Sequence, residues 1–119
     1  MYEITKEFKF SAGHFLNGLP ETHQCSRQHG HNYLIEVCLR SDRLNEVGFI
    51  VDYGDLADFK QIIDSEYDHR NLNDFLDFNP TAENLAQKFF AIAMNLPWGN
   101  DLSSITVKET DGTSAVYYE

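Results

Sequence analysis

The alternation of apolar and polar residues is cleanest at the two ends of the first forty residues. From Tyr2 to His14 the residues Tyr2, Ile4, Phe8, Phe10, Ala12 and His14 share one face, broken only by Lys6. Glu3, Thr5, Glu7, Lys9 and Ser11 take the other face. A period of two over this length predicts a long, half-buried strand. Residues 15–28 carry Asn17-Gly18, Pro20 and several polar residues, which predicts a loop. Alternation resumes at His29, with His31, Tyr33, Ile35, Val37 and Leu39 on one face and Asn32, Glu36 and Arg40 opposite. A turn-rich stretch, Ser41 to Gly48, and a short apolar segment, Phe49 to Val51, follow.

After Asp52 the period changes. Leu56, Phe59, Ile63 and Tyr67 are spaced for one helix face, with Asp52 suited to the N-cap and Asp55 to the first turn. A second helix is expected from Pro80–Ala82, with an apolar stripe of Leu85, Phe89, Ile92, Ala93 and Leu96, ended by Pro97 and Gly99. Asp111-Gly112 signals a two-residue hairpin turn. Pairing outward from it aligns Glu109 with Ser114, Val107 with Val116 and Ile105 with Tyr118. The expected order is ββααββ: an α+β fold, a four-stranded antiparallel sheet with two helices on its apolar face. Unpaired edge strands are a liability, so subunits are expected to join edge to edge.

Length changes this picture little: 119 residues suit one domain, 1–119, without internal repeat or linker. Charge changes it more. Nine basic and 19 acidic residues leave a net charge of −10, which disfavours nucleic acid and anionic membranes as partners. No apolar run approaches a membrane span and the N-terminus lacks a signal peptide's apolar region, so a cytoplasmic protein with two free thiols is expected.

The chemistry rests on histidines. His29 and His31 are two apart on a strand and project to the same face. His14 ends the first strand on that strand's apolar face. If the two strands pair antiparallel, all three imidazoles converge at one end of the sheet. Three nitrogen ligands with an open fourth position suit a catalytic zinc ion. Gly30, between two of them, has no Cβ and allows close passage of the backbone. Each histidine alone would suit an ordinary surface or core position; three in register favour a metal. Cys25, four residues before His29, suits a fourth ligand or an activated base, since a nearby cation lowers a thiol's pKa. The alternative, a buried small hydrophobe, fits mid-strand Cys38 better than Cys25 among Gln24, Ser26, Arg27 and Gln28. Asp68-His69 follows the first helix and reads as an acid/base pair or as a histidine helped by the helix dipole. Glu109 shares the face of Ile105 and Val107, where a carboxylate needs a partner unless the strand end is exposed.

Phe10-Ser11-Ala12-Gly13-His14, Cys25-x-x-x-His29-Gly30-His31-Asn32-Tyr33, Val51-Asp52-Tyr53, Asp68-His69-x-x-Leu72-Asn73, Pro80-Thr81-Ala82-Glu83-Asn84 and Val107-Lys108-Glu109-Thr110 occur in that order. Together, over essentially the whole chain, they resemble the 6-pyruvoyl-tetrahydropterin synthase superfamily. Within it the chain is most similar to the bacterial 6-carboxy-tetrahydropterin synthases of queuosine and 7-deazaguanine biosynthesis, given the short gap between Cys25 and His29. Tyr53 stands where the family would have Phe. The resemblance implies the tunnelling fold and a homohexamer with active sites between subunits. It implies zinc on His14, His29 and His31, Cys25 as general base, Asp68 and His69 as acid/base pair, Glu109 as the pterin anchor, and Thr81 among the substrate-binding residues. The implied substrate is dihydroneopterin triphosphate, for whose polyanion Arg27 and His23, flanking Cys25, are candidate contacts. Two other functions stay open: the pyruvoyl-forming reaction at the same site, and a metal-binding protein without catalysis, which would not need Cys25, Asp68-His69 or Glu109.

Overall fold

The computed structural model describes residues 1–119. Strand β1 (Tyr2–His14) pairs antiparallel with β2 (His29–Ser41) over all thirteen residues, with Phe8 opposite Ile35, Phe10 opposite Tyr33 and His14 opposite His29. The apolar face read from the alternation is the buried one: Phe8, Phe10, Tyr33, Ile35, Val37 and Leu39 all lie in the core. A 3₁₀ turn, Tyr53–Leu56, is capped by Asp52, whose carboxylate accepts from the Gly54 N–H. Asp52 therefore starts this turn, and helix α1 proper (Ala57–Glu66) follows it. Helix α2 spans Ala82–Met94, capped by Thr81, whose Oγ1 accepts from the Asn84 N–H at 3.1 Å. Leu56, Phe59, Ile63 and Tyr67 of the first helical segment meet Leu85, Ala86, Phe89, Phe90 and Ala93 of α2 in one apolar core over the sheet. Aromatic contacts tie the layers, as in Phe59 on Phe89 and Phe8 on Phe59. After α2, Gly99 packs on the helix end, where a Cβ would run into the Met94 carbonyl.

The sheet departs from expectation twice. It has five strands, ordered β3-β1-β2-β4-β5, because the chain leaving α1 lays two residues, β3 (Arg70–Asn71), parallel against Ala12 and Gly13 of β1. The second departure is the register of the final hairpin, β4 (Leu102–Lys108) with β5 (Ala115–Tyr117). Ile105 faces Tyr117 and Val107 faces Ala115, one residue away from the pairing that a two-residue turn dictates. A one-residue slip exchanges the faces of a strand. Tyr117 accordingly turns inward against Phe90, centroids 5.1 Å apart, while Val116 and Tyr118 are exposed. Core packing outweighs the turn signal, and the longer connection puts Gly112 at φ +89°.

On its other side β1 has a strand partner only at residues 12 and 13, so the edge from Tyr2 to Phe10 is open. No helix is long and apolar enough to cross a membrane.

Candidate metal and catalytic site

The His14–His29 register brings three imidazoles together at one end of the β1–β2 ribbon. Their ligand atoms all lie within 4.8 Å of one another. The His14 and His29 Nε2 atoms are only 3.0 Å apart. His14 is buried and His29 and His31 half-buried.

Backbone carbonyls decide the tautomers. His14 Nδ1 lies 2.8 Å from the Pro80 carbonyl and His29 Nδ1 lies 2.7 Å from the Arg27 carbonyl. A carbonyl only accepts, so both Nδ1 atoms carry a proton, and with the rings neutral, as metal ligands are, both Nε2 atoms present lone pairs. The Tyr33 hydroxyl, 3.2 Å away, takes a share of the same His14 N–H. Two bare lone pairs at 3.0 Å repel unless a cation lies between them. Zn–N bonds of about 2.0–2.1 Å in a tetrahedral set bring ligand nitrogens to about 3.3 Å, close to this spacing. Burial lowers the pKa of both His14 and His31, favouring the neutral form that a ligand needs; the Pro80 hydrogen bond at His14 and the Glu109 charge at His31 are the main opposing effects, and the neighbouring imidazoles add smaller lowering ones. The three residues fit a zinc ion.

Glu109, just past β4, reaches into this group. Its Oε2 is 3.8 Å from both His14 Nε2 and His31 Nε2. That oxygen is shielded from solvent and has no hydrogen-bond partner. Leaving it so is costly, which marks a place for a cation or for the N–H donors of a ligand.

Cys25 sits in a 3₁₀ turn, Gln24–Ser26, and is half-buried. It stands outside the group of ligand atoms, which is made of histidines alone. Its carbonyl accepts from the Leu16 N–H at 2.8 Å, and its own N–H donates to His23 Nδ1 at 3.0 Å. His23 is thus the cap of the Cys25 turn. The Arg27 carbonyl serves His29, while the residue itself is exposed. Cys38 is buried mid-strand, and burial raises its thiol pKa, as suits an inert packing residue.

Asp68 and His69 pair directly, Nδ1 to Oδ2, at 2.9 Å. Both are docked on β1: the Ser11 N–H donates to Asp68 Oδ1 at 2.8 Å and the His69 N–H to the Ser11 carbonyl at 2.6 Å. The Ser11 bond first, then the His69 bond and charge, hold the Asp68 carboxyl below its ordinary pKa. His69 has φ +61°, the one non-glycine in the left-handed region. Such strain collects at functional positions. Its imidazole is 82% exposed. With His31, Asn32 and Ser11 it lines an open cleft of about 490 Å³ at the sheet end. Within one chain, then, the histidine group and Glu109 come together, and the Asp68–His69 pair forms beside them on the β3 side.

Gly30 is not the tight glycine: a Cβ there would make ordinary contact with the Ala12 carbonyl at 3.6 Å. At its cross-strand partner Gly13 a Cβ would lie 2.8 Å from Gln28 Nε2, the end of a flexible side chain that can move aside, and 3.4 Å from the His29 carbonyl. The sequence pattern carried no sign of the Pro80 and Arg27 carbonyls, because a backbone acceptor has no residue-type signature. Lys9 and Lys108 share a cleft of about 330 Å³ with Asn32 and Tyr33; Lys9 was legible only as an alternating strand position and Lys108 only as part of the Val107–Thr110 motif.

Residues 3–119 match the model of the 6-pyruvoyl tetrahydropterin synthase family. The chain belongs to that family. It is 35% identical over 125 aligned positions to the 6-carboxy-5,6,7,8-tetrahydropterin synthase of Synechocystis sp., covering 99% of this chain and 94% of that protein. It is 33% identical over 96 positions to the protein of the same name from Bacillus subtilis, covering 75% of this chain and 63% of the relative's length. Among solved structures, the Caenorhabditis elegans 6-pyruvoyl tetrahydropterin synthase superposes with a TM-score of 0.87 at 26% identity, covering 99% and 95% of the two chains. The Plasmodium vivax protein of the same name, at 17% identity and TM-score 0.76, shares the fold over 99% and 97% of the chains. The sheet and paired helices are the T-fold of the 6-pyruvoyl tetrahydropterin synthase family.

Proposed function

We propose that this chain, acting as one domain over residues 1–119, is a zinc enzyme. It converts 7,8-dihydroneopterin triphosphate to 6-carboxy-5,6,7,8-tetrahydropterin, releasing acetaldehyde and triphosphate, in the route to queuosine and related 7-deazaguanines. The observation that carries the reading is the convergence of three imidazoles, two of which, His14 and His29, spend their Nδ1 protons on backbone carbonyls and turn Nε2 toward the group. The two relatives above, at 33% and 35% identity, bear the carboxy-type name and support this product.

His14, His29 and His31 would hold the ion, which when bound supplies a Lewis acid toward the substrate's side-chain oxygens and acidifies the adjacent C–H bonds. Cys25 takes a proton from that side chain as general base. The Asp68 carboxylate accepts from His69 Nδ1, so His69 Nε2 is left to carry a proton in and out. Glu109 offers a carboxylate to two adjacent ring N–H groups of the pterin, and such charge-assisted pairs are strong. Its unpartnered oxygen is what such a ligand would satisfy. Thr81, Arg27 and His23 stay in the proposed substrate set, the last two toward the triphosphate.

The exposure of His69 and the open β1 edge both favour a site completed by neighbouring chains, and we propose a homohexamer. The pyruvoyl-forming reaction is the second reading, favoured by the overall likeness to the Caenorhabditis protein. Incubation of the zinc-loaded protein with dihydroneopterin triphosphate decides between them. Acetaldehyde released in step with triphosphate is expected; triphosphate without acetaldehyde would establish the pyruvoyl reaction instead.

A further inference from the structure

Beyond His14, neither flanking strand continues alongside residues 15–17. On the β3 side no backbone takes over. Two side-chain amides do. The Phe15 N–H donates to Asn73 Oδ1 at 2.8 Å, and Asn73 Nδ2 donates back to the Phe15 carbonyl at 3.0 Å. Two residues on, the Asn17 N–H donates to Asn79 Oδ1 at 2.9 Å, and Asn79 Nδ2 donates to the Asn17 carbonyl at 3.0 Å. Alternate residues offering both N–H and C=O to one edge are what a neighbouring strand would bond. Only a carboxamide, with one acceptor and donors on the same planar group, can answer both, and the complementarity fixes which end is oxygen. On the opposite edge, the Leu16 N–H between them donates to the Cys25 carbonyl. The backbone at Asn79 is itself held. The Asn79 carbonyl accepts from Asn84 Nδ2 at 2.8 Å, and Pro80, the next residue, supplies the carbonyl that orients His14.

We propose that Asn73 and Asn79 are positioning residues that act as a surrogate strand for Phe15–Asn17, and through the Leu16 bond set where Cys25 stands relative to His14. The segment has little else to hold it, since Phe15 and Leu16 are half-buried and Asn17 is exposed. The proposal rests on the reading of Cys25 as the base, so its test includes measurements that need no pterin. In zinc-loaded Asn73→Ala and Asn79→Ala, amide exchange at Leu16 is expected to quicken by about tenfold. The pH profile of Cys25 alkylation by iodoacetamide should move while Cys38 stays protected. With dihydroneopterin triphosphate, kcat should fall by about tenfold or more, because small misplacements of reacting groups are costly, with KM and zinc content near wild type. Asn79→Asp keeps the shape and the acceptor but turns an oxygen toward the Asn17 carbonyl, and should behave like the alanine variant; it carries the test if that variant does not fold. Ile63→Val, a core change away from the segment, should leave the alkylation profile alone. Asparagine variants whose Leu16 exchange and Cys25 profile match wild type, or move no further than Ile63→Val, would overturn the proposal. A wild-type protein inert toward the pterin would instead remove the functional reading, with the exchange and alkylation results still deciding the clamp.

Discussion

At the scale of single residues, the proposed function separates groups that would hold a metal from groups that would handle substrate. Three histidines provide a full set of ligand atoms without Cys25. Cys25→Ala is therefore expected to keep about one zinc per chain and its fold, while turnover falls by about 10² or more, the usual scale for losing a positioned base. Loss of zinc in that variant would make the thiol a ligand, and near-normal turnover would hand the base role elsewhere. His31→Ala should lose the metal, as elemental analysis would read. Glu109 is a different case, because its carboxylate faces the ligand nitrogens yet has no partner. Glu109→Ala should retain zinc and bind a pterin analogue weakly; wild-type affinity by calorimetry would remove the anchor role.

At the scale of elements, the ends of strands and helices do most to build the site. The final hairpin tests how its register is chosen. Tyr117 packs on Phe90 while Val116 points to solvent. Tyr117→Ala should cost about 1–3 kcal/mol, whereas Val116→Ala should stay within about 0.5 kcal/mol. The reverse order in denaturant melts, with Val116→Ala the costlier, would favour the register that a two-residue turn predicts. The link from α1 to β3 carries a pH signature. Asp68 has its folded pKa lowered by the Ser11 N–H and then by His69, so its contribution is fully present above the ordinary carboxylate value, about 3.9, and fades as pH falls through the lower folded value. Asp68→Asn should lose that part of the acid dependence. Its Tm should drop less steeply than wild type below about pH 4, and superimposable Tm curves would contradict the assignment.

At the scale of the whole molecule, the β1–β2 ribbon gives an elongated shape, 56 Å by 25 Å by 24 Å, with a bare edge along β1 and the exposed His69 beside the site. These features suit a chain completed by others. Sedimentation at micromolar concentration should give six times the mass of the chain; a monomer retaining full turnover would refute interfacial sites. Chelation should lower Tm, because a ligand that binds only the folded chain stabilises it by mass action, and the close Nε2 atoms of His14 and His29 would then face each other unscreened.

What could be read along the chain was whatever has a period. Alternation in residues 2–14 and from His29 onward marks both strands and their buried faces, and His14, His29 and His31 follow, because an antiparallel pair puts the end of one strand beside the start of the next. The apolar spacing of Leu56, Phe59, Ile63 and Tyr67 likewise marks a helical face. Contacts without a residue-type signature, or between segments far apart, were settled only by folding. The Pro80 and Arg27 carbonyls that choose the histidine tautomers are backbone atoms, silent in any pattern. Strand β3 is two residues long, too short for a period, and exists because α1 returns the chain beside Ala12 and Gly13. The hairpin's turn signal is local and lost to the long-range packing of Tyr117 on Phe90. Asn73 and Asn79 look like ordinary loop residues until Phe15 and Asn17, 58 and 62 positions earlier, lie against them. A side-chain amide becomes a strand partner only when the fold supplies the strand.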